Sequence, residues 1–285
     1  MSLQESSPPQ PALRERVQAI DWYHTLELTP DLVTPGWLDH RSVLSRMPLP
    51  DSLEGKRCLD VGTFNGFWAF ELERRGATEV VAVDLLDPRD WDWPAEAEEA
   101  TVQAIGDRLA AGEGFEIAKE ALGSGVQRVD RSVYELSEDD LGRFDFVYVG
   151  SLLVHLRDPV RALERVRSVC DGTLVVVDGI DLTLTLRSPR LPVARLDGRG
   201  RPWWWWPNVA GLTRLVEVAG FELTARPRVL FVPPGEAWSP PRYDPRLLRT
   251  REGRYALTCA WLGDPHAALV ARPRSPCSAV GRPQS

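Results

Sequence analysis

Arg57-Cys58-Leu59-Asp60-Val61-Gly62-Thr63-Phe64-Asn65-Gly66 reads as an apolar strand ending in Asp-x-Gly-x-x-x-Gly, turning into a helix at Trp68-Ala69-Phe70-Glu71-Leu72. A second strand, Glu79-Val80-Val81-Ala82-Val83-Asp84, follows and ends in an acid. Glycines let a backbone approach a ligand closely, and an acid at the tip of the next strand can accept both ribose hydroxyls. Asp84 lies 18 residues past Gly66, close to the roughly 20-residue spacing of such an acid. Thr63 and Phe64 stand where a pyrophosphate-binding loop has its middle glycine. This bulkier loop, with Asp60 before it, suits a cationic, phosphate-free nucleoside better than a dinucleotide.

Outward from this unit, strand and helix alternate. Strands are predicted at 56–61, 79–84, 126–130, 144–149 and 173–179, with helices near 66–75, 96–122 and 157–169. That order predicts a parallel sheet wrapped by right-handed crossovers. Upstream, a short helix is expected over 13–20 and another over 39–47, stopped by Pro48 and Pro50. Downstream, a helix over 209–219 ends at Gly220, a common C-cap. Two late strands, 222–232 and 255–262, have no helix between them and predict an antiparallel addition at the sheet edge. The division expected is a disordered N-terminus over 1–12, a helical lid over 13–50, one α/β domain over 51–272 and a disordered tail over 273–285.

At 285 residues and 43% apolar content the chain can bury one large α/β core. The four cysteines, Cys58, Cys170, Cys259 and Cys277, and the four histidines show no metal-ligand spacing, so no metal is expected. Cysteine usage fits a reducing cytoplasm, and residues 1–12 lack the apolar core of a signal peptide. No apolar run approaches the about 18 residues that span a bilayer. A net charge of −7 argues against a polyanionic partner such as tRNA or DNA, since such binders carry a basic face. Oligomeric state is open.

The chain from about 53 to 269 resembles class I S-adenosylmethionine-dependent methyltransferases. It is similar to the branch containing the bacterial tRNA wobble-uridine carboxymethyltransferase. Beyond the 53–62 segment, the resemblance rests on Phe144-Asp145-Phe146-Val147-Tyr148-Val149-Gly150-Ser151-Leu152-Leu153-Val154-His155-Leu156-Arg157-Asp158-Pro159. Thr173 to Asp178, Trp206-Pro207-Asn208 and Ala219-Gly220-Phe221 also match. It implies a Rossmann-like fold with a mostly parallel seven-stranded sheet, an antiparallel edge strand and S-adenosylmethionine as cofactor. Carboxymethylating relatives hold a carboxylated cofactor with a lid lysine and a tyrosine just before the matching histidine. Here Val154 replaces that tyrosine and the lid offers no lysine, although Arg254 matches an arginine of that pocket. The expectation is methyl transfer to a small, apolar or aromatic metabolite. The rival readings are a tRNA-modifying enzyme and a non-catalytic cofactor-binding protein.

The resemblance assigns Asp60, Gly62, Thr63, Asn65 and Gly66 to the methionine end of the cofactor. It assigns Asp84 to the ribose, Leu85, Arg131, Ser132 and Val133 to the adenine, and Gly150 and Ser151 to the region under the sulfonium. His155 is a candidate base or a packed histidine ordering its loop. Asp178, at the end of the fifth strand, is a second candidate base or a turn cap. His24 is a third candidate base if Trp22-Tyr23-His24 closes as a lid, and otherwise a surface or hinge residue. The chain has 11 tryptophans. Four are consecutive, Trp203, Trp204, Trp205 and Trp206, and neighbours cannot all face one way. One or two are expected in the core and one or two against the substrate, beside Trp22 and Tyr23. Arg187, Arg190, Arg195, Arg199 and Arg201 adjoin them, available either to solvent or to an anionic group.

Overall fold

The computed structural model describes residues 12–109 and 112–275. Residues 1–11 and 276–285 lie outside them, as do most of the predicted disordered ends and Cys277. The N-terminal part holds α1 (Leu13–Gln18), β1 (Trp22–His24), β2 (Glu27–Thr29), β3 (Leu32–Val33) and β4 (Gly36–Leu38). β1 pairs with β4 in parallel and β2 with β3 antiparallel. This segment is therefore mostly extended, not helical. The predicted helix over 39–47 is a 3₁₀ turn, Arg41–Arg46, closed before Pro48.

Then come β5 (Arg57–Val61), α2 (Phe67–Arg74), β6 (Glu79–Asp84), α3 (Glu99–Leu109), α4 (Glu113–Leu122) and β7 (Gln127–Asp130). They are followed by α5 (Glu138–Leu141), β8 (Phe144–Gly150), α6 (Pro159–Val169) and β9 (Cys170–Gly179). The long helix expected over 96–122 is thus two helices, with Gly112 in a left-handed conformation at the start of the second. The last third holds α7 (Leu182–Arg187), β10 (Ala194–Leu196), β11 (Trp205–Pro207), α8 (Val209–Val218), β12 (Phe221–Leu223), β13 (Arg228–Val232), α9 (Arg251–Trp261) and β14 (Asp264–Pro273).

The central sheet has 8 strands in the order β12-β14-β9-β8-β5-β6-β7, with β13 also paired to β14. The expected seven is one too few, because β12 and β13 lie end to end along the same edge of β14. β14 runs antiparallel beside β9, so it is an inner strand and not the edge. Residues 255–262, expected as a strand, form most of α9. Their β-favouring composition is overridden by an N-cap: the Thr250 hydroxyl accepts from the Gly253 amide. The strand itself begins only after Gly263, whose φ of +104° breaks the helix.

Both sheet faces are covered, as parallel strands require. Ala162, Leu163 and Val166 of α6 and Leu212 and Val216 of α8 bury one face. Phe67, Trp68, Leu72, Phe115 and Ile117, from α2 and α4, bury the other together with Trp22 of β1. Cys58, Cys170 and Cys259 are buried free thiols. The chain lays β6 and β7 on one side of β5, then returns to place β8 on the other. The crevice at that reversal, outside the carboxyl ends of β5 and β8, is where open α/β sheets bind ligands.

Candidate functional site

The loop after β5 fills one lip of this crevice. Gly62 has a φ of +80° and Gly66 a φ of +88°. A Cβ on Gly66 would come 2.4 Å from the Phe70 ring and one on Gly62 3.2 Å from Leu152, so conformation and space both favour glycine. Asp84 closes the loop from the tip of β6: Oδ2 accepts from the Phe64 amide at 2.7 Å and Oδ1 from the Leu85 amide at 2.8 Å. Each oxygen keeps a further lone pair for a ligand hydroxyl.

A cavity of about 500 Å³ opens there, within the range of sites that enclose a small molecule. Of the residues expected to hold the cofactor, Gly62, Asp84, Leu85, Arg131, Ser132, Val133, Gly150 and Ser151 line it. Asp60 of β5 and the loop residues Thr63, Asn65 and Gly66 do not. Asn65 Oδ1 accepts from the amides of Tyr23 and His24, tying β1 to the glycine loop. Asp60 is buried, and desolvation pushes its carboxyl up to about 7. Its Oδ2 and the Thr63 hydroxyl both lack a hydrogen-bond partner.

The three candidate bases separate. His155 lines the cavity, and its Nδ1 donates to the Pro202 carbonyl at 2.7 Å, which leaves Nε2 unprotonated in the neutral ring. Burial also lowers its pKa. It therefore joins both readings, loop anchor and cavity wall. His24 lines the cavity too and is buried, not a surface residue; desolvation lowers its pKa to about 3, and its Nδ1 has no partner. Asp178 is buried behind the wall. Its Oδ2 accepts from the Leu152 and Leu153 amides and its Oδ1 from Gly179, so it shapes the turn after β8.

The consecutive tryptophans divide as well. Trp203 and Trp206 line the cavity, ring centroids 6.0 Å apart, with Trp206 buried against Tyr255. Trp204 and Trp205 do not: their indole nitrogens donate to the carbonyls of Asp92 and Arg157. Alternation along β11, paired to β10, sends neighbours to opposite sides. Trp22, Tyr23, Trp37 and Leu38 supply the N-terminal wall. Sequence reasoning missed Trp91, Tyr134, Trp238, Tyr255 and His266, which also line the cavity. Tyr255 and His266 sit in the segment whose helix and strand were misread, and the other three carry no motif.

Residues 38–226 match a methyltransferase domain family. The chain belongs to that family. It carries a methyltransferase domain over those residues. The tRNA U34 carboxymethyltransferase of Dichelobacter nodosus is 29% identical over 181 residues, 60% of this chain and 47% of that protein. The chain thus spans about half the length of this curated relative. Among solved structures, a Haloferax volcanii methyltransferase in complex with the Trm112 methyltransferase activator aligns with a TM-score of 0.50 at 14% identity. The match covers 82% of this chain and 88% of that one and supports the same fold. The Burkholderia thailandensis 1,6-didemethyltoxoflavin N1-methyltransferase, solved with 1,6-didemethyltoxoflavin and S-adenosylhomocysteine, gives a TM-score of 0.45 at 17% identity over 78% of this chain and 72% of that one.

The residues fit the S-adenosylmethionine that the resemblance implies. Two paired-off but unsaturated carboxylate oxygens on Asp84 suit a ribose diol. Among the described residues no group of acids, histidines or cysteines could hold a metal ion, and no helix is long and apolar enough to cross a membrane.

Proposed function

We propose that this enzyme transfers the methyl of S-adenosylmethionine to a small, apolar or aromatic metabolite by in-line displacement at sulfur. Asp84 holds the ribose hydroxyls, Leu85, Ser132 and Val133 flank the adenine, and Gly62, Gly150 and Ser151 receive the methionine end. Displacement of this kind depends on positioning more than on strong acid–base help. The observation that carries the reading is the chemistry of the cavity wall. Trp37, Trp203, Trp206, Trp238 and Tyr255 line it, and its one arginine or lysine among the described residues, Arg131, is ion-paired to Asp140 at 2.6 Å. Such a wall favours flat apolar surface and offers an anionic group little.

The same wall bears on the cofactor. Val154 is apolar and buried, and Arg254 is exposed on α9 with its guanidinium on the Leu248 carbonyl. A carboxylated cofactor would therefore lack a counter-ion. Calorimetric titration is expected to give S-adenosylmethionine an affinity at least equal to that of its carboxylated analogue. A tenfold preference for the carboxylated form, about 1.4 kcal/mol, would reverse the assignment and point to Arg254.

A tRNA substrate is the second reading. It draws on the carboxymethyltransferase relative and on the exposed arginines Arg242, Arg246, Arg249, Arg251 and Arg254, which crowd one short stretch of an acidic protein. Filter binding with bulk tRNA across a salt series separates the two. The small-metabolite reading expects weak binding with a shallow salt slope, whereas a steep slope, the sign of many phosphate contacts, would favour tRNA.

A further inference from the structure

Ser151, the residue after β8, has a φ of +49°. A non-glycine residue keeps this left-handed conformation only where its surroundings hold it, and such residues gather at functional sites. Its hydroxyl lies 3.1 Å from Nε2 of His266, and Nδ1 of the same ring lies 3.1 Å from the Asp264 backbone carbonyl. A carbonyl only accepts, so Nδ1 carries the ring proton and donates it there. Nε2 is then an unprotonated acceptor and takes the hydrogen of Ser151. A serine oxygen has one hydrogen and two acceptor sites. With the hydrogen on His266, acceptor capacity on Oγ is left for a ligand hydroxyl. Tyr23, Ser151 and His266 all line the cavity, next to Gly150 at the carboxyl end of β8.

We propose that Ser151 and His266 form a proton relay that receives the proton of a phenolic hydroxyl as its oxygen is methylated. This rests on the methyltransferase reading and names its acceptor class. The acceptor's hydroxyl donates to the open site on Ser151 Oγ. As the acceptor oxygen bonds to the methyl carbon, the carbon–sulfur bond breaks and its electron pair stays on sulfur. The acceptor's proton passes to Ser151 Oγ, and the serine's own hydrogen passes to His266 Nε2, giving an imidazolium whose Nδ1–H remains on the Asp264 carbonyl. A phenolic hydroxyl is acidic enough to give up its proton to an imidazole as its oxygen is alkylated. An aliphatic alcohol, with a pKa close to that of water at about 15.7, is not. The rings of Trp203, Trp206, Trp238 and Tyr255 supply the matching aromatic wall.

The titratable groups that bear on His266 are Asp264 on its own strand, Tyr255 of α9, which donates to Asp264 Oδ1 at 2.7 Å, Asp178 of β9 and His40, just before the 3₁₀ turn.

The probe is para-nitrophenol, whose acidity is close to that of imidazole and whose phenolate is yellow. With the full chain saturated by S-adenosylhomocysteine at about pH 6, near the imidazole range, the wild-type protein is expected to bind the probe as phenolate. His266→Gln and Ser151→Ala are each expected to bind it as the neutral phenol, the phenolate fraction falling at least about tenfold. Turnover of the probe with S-adenosylmethionine should fall on the order of a hundredfold, the scale of general-base catalysis. A folded His266→Gln protein that keeps both the phenolate and turnover within about threefold overturns the relay, as does a wild-type protein that leaves the probe's spectrum unchanged. If His266→Gln fails to fold, Ser151→Ala decides by the same criteria. Failure of the underlying reading is seen separately, as no calorimetric heat on titration with S-adenosylmethionine.

Discussion

Trp206→Ala is expected to lower the free energy of unfolding by about 3–5 kcal/mol, the cost of deleting a large aromatic side chain from a core. Trp203→Ala is expected to abolish acceptor turnover while leaving fold and cofactor affinity nearly intact. The contrast follows from where the two rings lie. Trp206 is 9% exposed, packs edge-on against Tyr255 and lies under the Arg195 guanidinium at 5.6 Å. Trp203 is only partly buried, sits 6.3 Å from the His155 ring and has the Arg201 guanidinium 4.0 Å above it. Denaturant melts of the two variants, paired with cofactor titrations, test the division. Equal destabilisation, with normal activity per folded molecule for Trp203→Ala, would make both rings structural and remove the aromatic wall from substrate binding.

Asp84→Ala should weaken S-adenosylmethionine binding by about 1.5–3 kcal/mol, the range for hydrogen bonds to a charged group, or roughly ten- to hundredfold in Kd. Part of that loss is indirect. The carboxylate also fixes the Phe64 and Leu85 amides, so its removal loosens the glycine loop as well as the ribose contact. Burial raises the pKa of Asp84 while those two amides and Arg128 oppose the rise. Calorimetry on the folded variant reads the effect, and an unchanged Kd would take Asp84 out of the site.

Much of the glycine-loop side of the cavity was legible in the sequence because it is local. Gly62, Gly66 and Asp84 belong to one strand–loop–helix–strand unit, and the left-handed backbone at the glycines and the acid at the next strand's tip are written into a short stretch. The alternation of strand and helix from 57 to 179 was equally readable, since burial on both faces demands continuous apolar strands such as Val80 to Val83. What failed was the last third. Tyr255 to Trp261 has the composition of a strand, and only the Thr250 cap and the packing of Gly253, Leu257 and Cys259 make it a helix.

The sequence by itself determined the crossover order, the glycine loop and the acid that faces it, because neighbouring residues and elementary backbone sterics specify them. Tertiary structure alone decided the opposite wall of the cavity. Tyr23, Ser151 and His266 lie on β1, after β8 and on β14, and come together because β14 inserts antiparallel beside β9 while Asn65 pins β1 to the glycine loop. The same holds for Asp178, whose fate as a turn cap was set by the amides of Leu152 and Leu153, 26 and 25 residues away. Hydrogen bonds between residues so far apart in the chain leave no periodicity or spacing to read. They exist only once the strands have found their order.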